Sequence, residues 1–169
     1  GVVAYAQSFA DGAHTSIPAP GLGALAAAQG GEKSRLARAL AALDVTADQV
    51  AVLSKHDTST NANDPNESEL HERIADELGR ERSNPLLVVS QKSLTGHAKG
   101  GAAAFQIIGL TQVLRSGIVP GNRSLDCVDP ALAEHSRLVW PTKAVNFGNT
   151  LPLKAGFVTS LGFGHVSAL

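Results

Sequence analysis

The sequence predicts an α/β fold, because short apolar segments alternate along it with longer segments of helical periodicity. Residues 49–54 form a short apolar run, and residues 86–89 form a continuous one, as in strands buried on both faces. Between these runs, Leu70, Ile74 and Leu78 recur at a spacing of four, which is typical of an amphipathic helix. Two such strands joined through a helix are the repeating unit of a parallel sheet.

The helix that carries Leu70 has clear start and stop signals. Asp64 is placed to cap it, Pro65 suits its first position, and Glu67 stands where a capping box needs a carboxylate. Gly79 follows the last apolar position and should end the helix.

The other elements follow from the same kinds of signal. Three further strands are expected at residues 2–7, 137–140 and 155–160. A loop rich in glycine and proline leads into a helix of small residues, and Leu36, Leu40 and Leu43 share one face of a second helix.

Residues 98–115 predict a helix that is apolar nearly all round. Its first half consists of small residues, and its second half is rich in isoleucine, leucine and phenylalanine. We therefore expect this helix to be central, with the small residues allowing a neighbour to approach closely.

Composition excludes several classes of protein. A net charge of −1 and the lack of a Lys/Arg run argue against nucleic-acid binding. No apolar stretch reaches membrane-spanning length. The single cysteine, Cys127, excludes an internal disulfide and fits a reducing, cytoplasmic location. No group of histidine, cysteine and carboxylate residues has metal-ligand spacing, so we expect no metal.

The two ends of the chain favour a piece of a larger protein. The chain opens on a strand pattern, contains no methionine and closes on an apolar run at Leu169. Free-standing domains usually fray into polar termini. We therefore expect residues 1–169 to be a piece of a larger chain.

Two histidines in separate loops are the main candidates for chemistry. His56 directly follows a buried strand, and His97 precedes the apolar helix, five residues after Lys92. Two such histidines can aim hydrogen-bond donors at developing negative charge, and a helix N-terminus favours a neutral ring. The alternative for His97 is that it satisfies a loop carbonyl. Lys92 lies between a buried strand and a buried helix, so it needs a partner, for which Glu67 is the natural candidate.

The other reactive side chains are weaker candidates. His71 is expected to be solvated and His135 to lie in a polar loop, whereas His14 lies in a long glycine-containing loop. Cys127 has an aspartate on one side and another two residues on, and these disfavour a thiolate nucleophile. The lack of a G-x-S-x-G motif argues against a serine hydrolase. Donors are thus present without a nucleophile.

Four segments in a fixed order carry a family resemblance. They are His56-Asp57-Thr58-Ser59-Thr60 with Asn63, Asp64 and Glu67; Lys92-Ser93-Leu94-Thr95-Gly96-His97; Val119-Pro120-Gly121-Asn122; and Thr159-Ser160-Leu161-Gly162-Phe163-Gly164. Together they resemble the C-terminal half of a β-ketoacyl-[acyl-carrier-protein] synthase of the thiolase-like superfamily, over nearly the whole chain. Residues 9–18 and 99–101 are most similar to the ketosynthase domain of fungal and actinobacterial (mycobacterial-type) type I fatty acid synthases. High alanine content and the lack of methionine favour the actinobacterial side.

The resemblance implies both a fold and a reaction. The fold is the C-terminal half of a thiolase-like domain, with a mixed five-stranded sheet, flanking helices and one buried central helix. The reaction is the decarboxylative condensation of a malonyl thioester, carried on the phosphopantetheine of an acyl carrier protein, with an acyl chain on a cysteine outside this chain. The enzyme would be an acyltransferase of fatty acid biosynthesis. It would be a homo-oligomer formed through a ketosynthase dimer, and its partners would be the N-terminal half of the ketosynthase and the other synthase domains.

The resemblance also implies roles for single residues. His56 and His97 would donate to the enolate oxygen, and Lys92, paired with Glu67, would hold the second loop. The backbone N–H of Phe163 would form half of an oxyanion hole, with its ring as a gate. Thr58 and Thr60 would contact the phosphopantetheine arm. No cofactor or metal would be bound by this chain.

Departures from the family pattern leave alternatives open. The family usually has glycine where Asp57 stands, and His165 also departs from its usual pattern. Aspartate tolerates positive φ better than most residues do, so the turn can survive the change. A non-catalytic, chain-length-factor-like partner subunit is the alternative function, although a decoy has no use for both histidines and the lysine. The isolated chain is expected to be inactive.

Overall fold

A computed structural model describes residues 1–12, 21–148, 152–162 and 166–169. The expected turn around Phe163, and the residues His14 and His165, lie outside the described residues. The strands in those ranges are β1 Ser8–Ala10, β2 Val50–Ser54, β3 Leu86–Val89, β4 Ile118–Val119, β5 Leu138–Val139, β6 Val145–Asn146, β7 Ala155–Val158, β8 Ser160–Gly162 and β9 Val166–Ala168. The α-helices are α1 Leu22–Ala28, α2 Arg35–Ala41, α3 Asn63–Glu77, α4 Gln91–Thr95, α5 Ala102–Ser116 and α6 Pro130–Ala133.

A parallel sheet in the order β5–β3–β2–β7 forms the centre of the fold. Because side chains alternate along a strand, β2 sends Leu53 into one core and Val52 into another. The first core packs against Leu40 of α2, and the second against Leu110 of α5. The sheet is therefore covered on both faces, which accounts for the continuous apolar runs in the sequence.

A second, antiparallel sheet in the order β1–β9–β8 continues from the first. Only Thr159 separates β7 from β8, so one nearly continuous stretch of chain joins the two sheets. The predicted α/β class is confirmed. The strands are divided differently from the expected single five-stranded sheet, because the chain leaves the parallel sheet at Thr159.

Helix α5 differs from the expected central helix. Its inward side is a narrow stripe that includes Gln106 and Leu110, and Gly156 of β7 lets Leu110 approach the sheet closely. Phe105, Ile107 and Ile108 on its other sides are 45%, 54% and 60% exposed. The helix was expected to be buried all round because it is apolar all round, but within the described residues only one face is covered.

Several predicted boundaries were wrong for local reasons. Residues 2–7 do not form a strand, and pairing begins only where Gln7 exchanges backbone hydrogen bonds with Leu169. Leu43 lies beyond the end of α2 and is 44% exposed. Asp64 does not cap α3, which begins one residue earlier; the Thr60 hydroxyl instead accepts from the N–H of Asn63 at 3.2 Å.

Within the described residues, none of the helices is long and apolar enough to cross a bilayer.

Candidate active site

His56 lies two residues beyond the carboxyl end of β2, where parallel sheets commonly place functional groups. Its side chain is only 8% exposed. Its backbone N–H donates to Glu67 Oε1 at 2.6 Å, which ties the loop to α3. The loop that carries the ring is therefore fixed to α3, and the ring itself is buried by the residues around it.

His97 follows α4, immediately after Gly96, and is exposed. Its Nδ1 accepts a hydrogen bond of 3.1 Å from the backbone N–H of Lys99, in the short 3₁₀ turn Lys99–Gly101 that precedes α5. This bond orients the ring from its own loop.

The structure brings the two histidine rings together. The centroids of the His56 and His97 rings lie 5.5 Å apart, and the ring planes are nearly perpendicular at 86°. The sequence placed these rings on separate loops, so their meeting depends on the tertiary fold. One bound atom can contact both rings.

Lys92 contacts His56 rather than the expected Glu67. Its Nζ donates to the backbone carbonyl of His56 and lies 3.3 Å from His56 Nδ1. Among the described residues no Lys92–Glu67 ion pair is formed within 4 Å. The negative charge of Glu67 still favours the charged form of Lys92, but the carboxylate oxygens accept hydrogen bonds from the nearer N–H groups of His56 and Asp57.

Glu67 is fully buried and organises the loop around His56. Besides His56, its carboxylate accepts from the N–H of Asp57 at 2.9 Å, from Asn63 Nδ2 at 3.2 Å and from Thr159 Oγ1 at 2.6 Å. Burial alone would raise the pKa of this carboxyl. The neighbouring His71 ring, the Lys55 ammonium and the Thr159 hydroxyl together bring the pKa well below its usual range, so Glu67 is ionised.

The histidines of the site are neutral near pH 7. Burial, together with the nearby Lys92 ammonium, lowers the pKa of His56 to about 4. Loss of solvation and the positive charges of Lys92 and Lys99 also lower the pKa of His97. Burial lowers the pKa of Lys92 itself, against the attraction of neighbouring carboxylates.

The hydrogen bonds also select one tautomer for each ring. The backbone N–H of Lys99 donates to Nδ1 of His97, so that nitrogen carries no proton. The Lys92 ammonium is a donor only and faces Nδ1 of His56, which has the same effect. In both neutral rings the proton therefore lies on Nε2, where it can be donated to a ligand.

An ion pair that the sequence did not indicate lies beneath the His56 loop. Lys55 is fully buried, and its Nζ lies 2.8 Å from Asp57 Oδ1 and donates to Ser68 Oγ at 2.8 Å. It also lies 5.3 Å from the ring centre of Trp140. Asp57 has a positive φ of 32°, so the glycine-like turn expected from the family pattern is retained with an aspartate in it.

Thr58 and Thr60 lie at the surface beside His56. Their hydroxyls are 3.1 Å apart, and the backbone N–H of Thr58 donates to Asp64 Oδ1 at 3.2 Å. Asp64 thus binds the backbone of the His56 loop and does not cap α3. Phe163, the other expected site residue, lies outside the described residues.

Sequence reasoning missed two buried polar residues, His71 and Gln106, that support the site. His71, expected to be solvated, is 1% exposed, and its Nε2 is 3.0 Å from Thr159 Oγ1. Its position four residues after Glu67 on one helix face was the available signal. Gln106, fully buried on α5, donates from Nε2 to the carbonyls of Ser54, Lys55 and Thr159 at 2.9–3.0 Å.

Comparison with known protein families shows which family the chain belongs to. Residues 1–126 match the family model described as "Beta-ketoacyl synthase, C-terminal domain". The chain belongs to this family. The resemblance noted in the sequence is thereby confirmed.

Curated relatives and solved structures agree with this family. The chain is 42% identical over its full length to Fatty acid synthase 2 of Mycosarcoma maydis, and 45% identical over 77% of its length to the fatty acid synthase subunit alpha of Candida albicans. It spans only 4% and 7% of these relatives. The ketosynthase FabY of P. aeruginosa superposes with a TM-score of 0.76 at 29% identity, over 96% of this chain and 24% of FabY. The type II ketosynthase of the AntDE:AntF complex, bound there to its acyl carrier protein, gives a TM-score of 0.69 at 26% identity, over 98% of this chain and 36% of that one.

Proposed function

We propose that this chain supplies the His/His/Lys half of the active site of a β-ketoacyl-[acyl-carrier-protein] synthase in a type I fatty acid synthase. The observation that carries the proposal is the meeting of the His56 and His97 rings, both neutral and both with a proton on Nε2. Two such donors suit a single oxygen that gains negative charge during a reaction. The nucleophilic cysteine lies outside this chain.

The proposed reaction uses the two donors at one step. The bond between the malonyl carboxylate and its α-carbon breaks, carbon dioxide leaves, and the electron pair moves onto the thioester oxygen as an enolate. His56 and His97 donate to this oxygen. The α-carbon then attacks the acyl thioester on the cysteine, a new carbon–carbon bond forms, and the cysteine thiolate leaves.

The other predicted site residues act around these donors. Burial and the Lys92 ammonium together keep His56 neutral, and Lys92 also keeps it in the Nε2–H tautomer. Glu67 holds the backbone of the His56 loop, which replaces its expected role as the partner of Lys92. Thr58 and Thr60 would contact the phosphopantetheine arm, a role supported by their hydroxyls at the surface of the His56 loop. The backbone N–H of Phe163 would serve the acyl thioester oxygen.

The relatives support a proposal for the substrates and partners. Malonyl and acyl thioesters would arrive on an acyl carrier protein, as the carrier-bound ketosynthase in the AntDE:AntF structure suggests. The N-terminal half of the ketosynthase, the other synthase domains and a second copy of the domain would complete the assembly in the cytoplasm. No cofactor is proposed for this chain itself.

Carbon dioxide release tests this proposal. In the full-length protein that contains this chain, His56→Ala and His97→Ala should each slow the decarboxylation of a malonyl-loaded carrier protein. Loss of one such donor costs about 2.7–4 kcal/mol, so each rate should fall about 10²–10³-fold. His135→Ala, in a loop away from the site, is the matched control. If both site variants stay within threefold of the control, the chain is instead a non-catalytic, ketosynthase-like partner.

A further inference from the structure

The buried ion pair of Lys55 and Asp57 fixes a carboxylate at one place beside His56. Lys55 is fully buried, and its ammonium is held by Asp57 Oδ1 and by Ser68 Oγ of α3, both at 2.8 Å. The backbone N–H of Asp57 is bound in turn by Glu67 Oε2. The Asp57 side chain, only 9% exposed, is therefore anchored through both its backbone and its charge.

The second oxygen of this carboxylate reaches the neighbouring segment of chain. Asp57 Oδ2 accepts a hydrogen bond from Ser90 Oγ, at the residue that precedes α4. Serine at this position usually turns its hydroxyl oxygen to the free N–H groups of its own helix. The Ser90 side chain makes no such cap, because its hydroxyl is directed to Asp57 instead.

Ser90 is also fixed from its other side. Its backbone N–H donates to Asn122 Oδ1 at 2.7 Å, and the Asn122 amide donates to the carbonyls of Val88 and Pro141. Two residues further along, Lys92 makes its contacts with the carbonyl and Nδ1 of His56. The start of α4 is thus joined to residues 56 and 57 by two adjacent links, one at Ser90 and one at Lys92.

We propose that Asp57 and Ser90 are positioning residues whose hydrogen bond sets the start of α4 and so places the Lys92 ammonium on His56. The inference rests on the proposed function, because its readout is decarboxylation. Lys55 contributes by keeping the Asp57 carboxylate in place beneath the loop. A lysine side chain is long and flexible, and a misplacement of about 1 Å at a reacting group can cost about 10²-fold in rate.

A double-mutant cycle in the full-length protein tests this proposal. The variants are Ser90→Ala, Lys92→Met and the two combined, with kcat and KM measured for decarboxylation of the malonyl-loaded carrier protein. Ser93→Ala is the matched control, because its hydroxyl accepts from the backbone N–H of Arg123 and does not touch the site. Ser90→Thr, which keeps the hydroxyl, tests rescue.

The expected result is a loss in kcat that disappears when Lys92 is absent. Ser90→Ala should lower kcat about tenfold with KM unchanged, while Ser93→Ala and Ser90→Thr stay within about threefold of the parent. In the Lys92→Met background, Ser90→Ala should add less than a twofold further loss, because residues that act through one another are not additive.

Other outcomes overturn one idea or the other. Multiplicative losses in the double variant, or a Ser90→Ala enzyme with unchanged kcat, would overturn the positioning role while leaving the proposed function intact. A loss in Ser90→Ala that Ser90→Thr fails to restore would count against it as well. If Lys92→Met and His56→Ala both decarboxylate at the parent rate, the proposed function itself fails.

Discussion

Replacing Glu67 with glutamine should loosen the loop that carries His56. The carboxylate accepts from two adjacent backbone N–H groups, of His56 and Asp57, and from the side chains of Asn63 and Thr159. A glutamine amide has one oxygen and one NH₂ group. Whichever way it turns, one backbone N–H loses its acceptor and faces another donor.

The size of this effect follows from the contacts. A hydrogen bond to a charged group contributes about 1.5–3 kcal/mol, and a buried donor left unsatisfied costs about 1–3 kcal/mol more. The sum, about 2.5–6 kcal/mol, is a large part of the stability of an ordinary domain. The carboxyl has a lowered pKa, so its contribution is present above its unfolded value of 4.5 and is lost as the pH falls through the folded pKa.

Hydrogen exchange measured by mass spectrometry on the full-length protein reports this local opening. Peptides covering residues 53–60 should exchange about 10²–10⁴-fold faster in Glu67→Gln at pH 7, since each 1.4 kcal/mol is a factor of ten. Glu69→Gln, on the exposed side of the same helix, is the matched control. If the two variants exchange within threefold of each other in these peptides, the carboxylate does not hold the loop.

Three further results are expected. Lys92→Met should raise the pKa of His56 from about 4 toward 6.5, because a nearby positive charge is removed, whereas Lys99→Met should leave this pKa unchanged. Hydrogen exchange at the imidazole C2–H measures the pKa of His56 in both variants. Equal pKa values in the two variants would contradict the reasoning. Gln106→Leu removes a side-chain donor from three buried carbonyls, of which only that of Ser54 is known to keep a backbone donor, the N–H of Thr159. Peptides at the ends of β2 and β7 should therefore exchange about 10–100-fold faster, and unchanged protection would refute this. The isolated chain should form no acyl-enzyme on the exposed Cys127, and an acyl adduct there in an intact-mass measurement would contradict the assignment of the nucleophile to another segment.

Sequence periodicity was sufficient for the elements that are buried on a regular pattern. β2, β3 and α3 lie where the apolar runs and the spacing of four predicted them. Sequence periodicity predicted burial wrongly where apolar residues are exposed. Residues 2 and 3 and the outward side of α5 are apolar yet exposed, and a sequence pattern reports hydrophobicity without saying what covers it.

The candidate site was predictable as a set of residues but not as a set of contacts. Loop position indicated His56, His97 and Lys92, whereas the partner of Lys92 depends on which acceptor the folded chain brings nearest. Glu67 was assigned to Lys92 on charge alone. In the fold, the carboxylate oxygens accept hydrogen bonds from two backbone N–H groups instead. The side-chain charges in a sequence do not show which donors will lie nearest to an acceptor.

One carboxylate serves two separate stretches of chain. Thr159 donates to Glu67 from the junction of β7 and β8, which leads toward Phe163, while His56 binds the same Glu67 oxygen from the end of β2. An evolutionary change at position 67 would therefore disturb both stretches at once. In homologues that lack this acid, we therefore expect substitutions in both stretches together rather than in one of them alone.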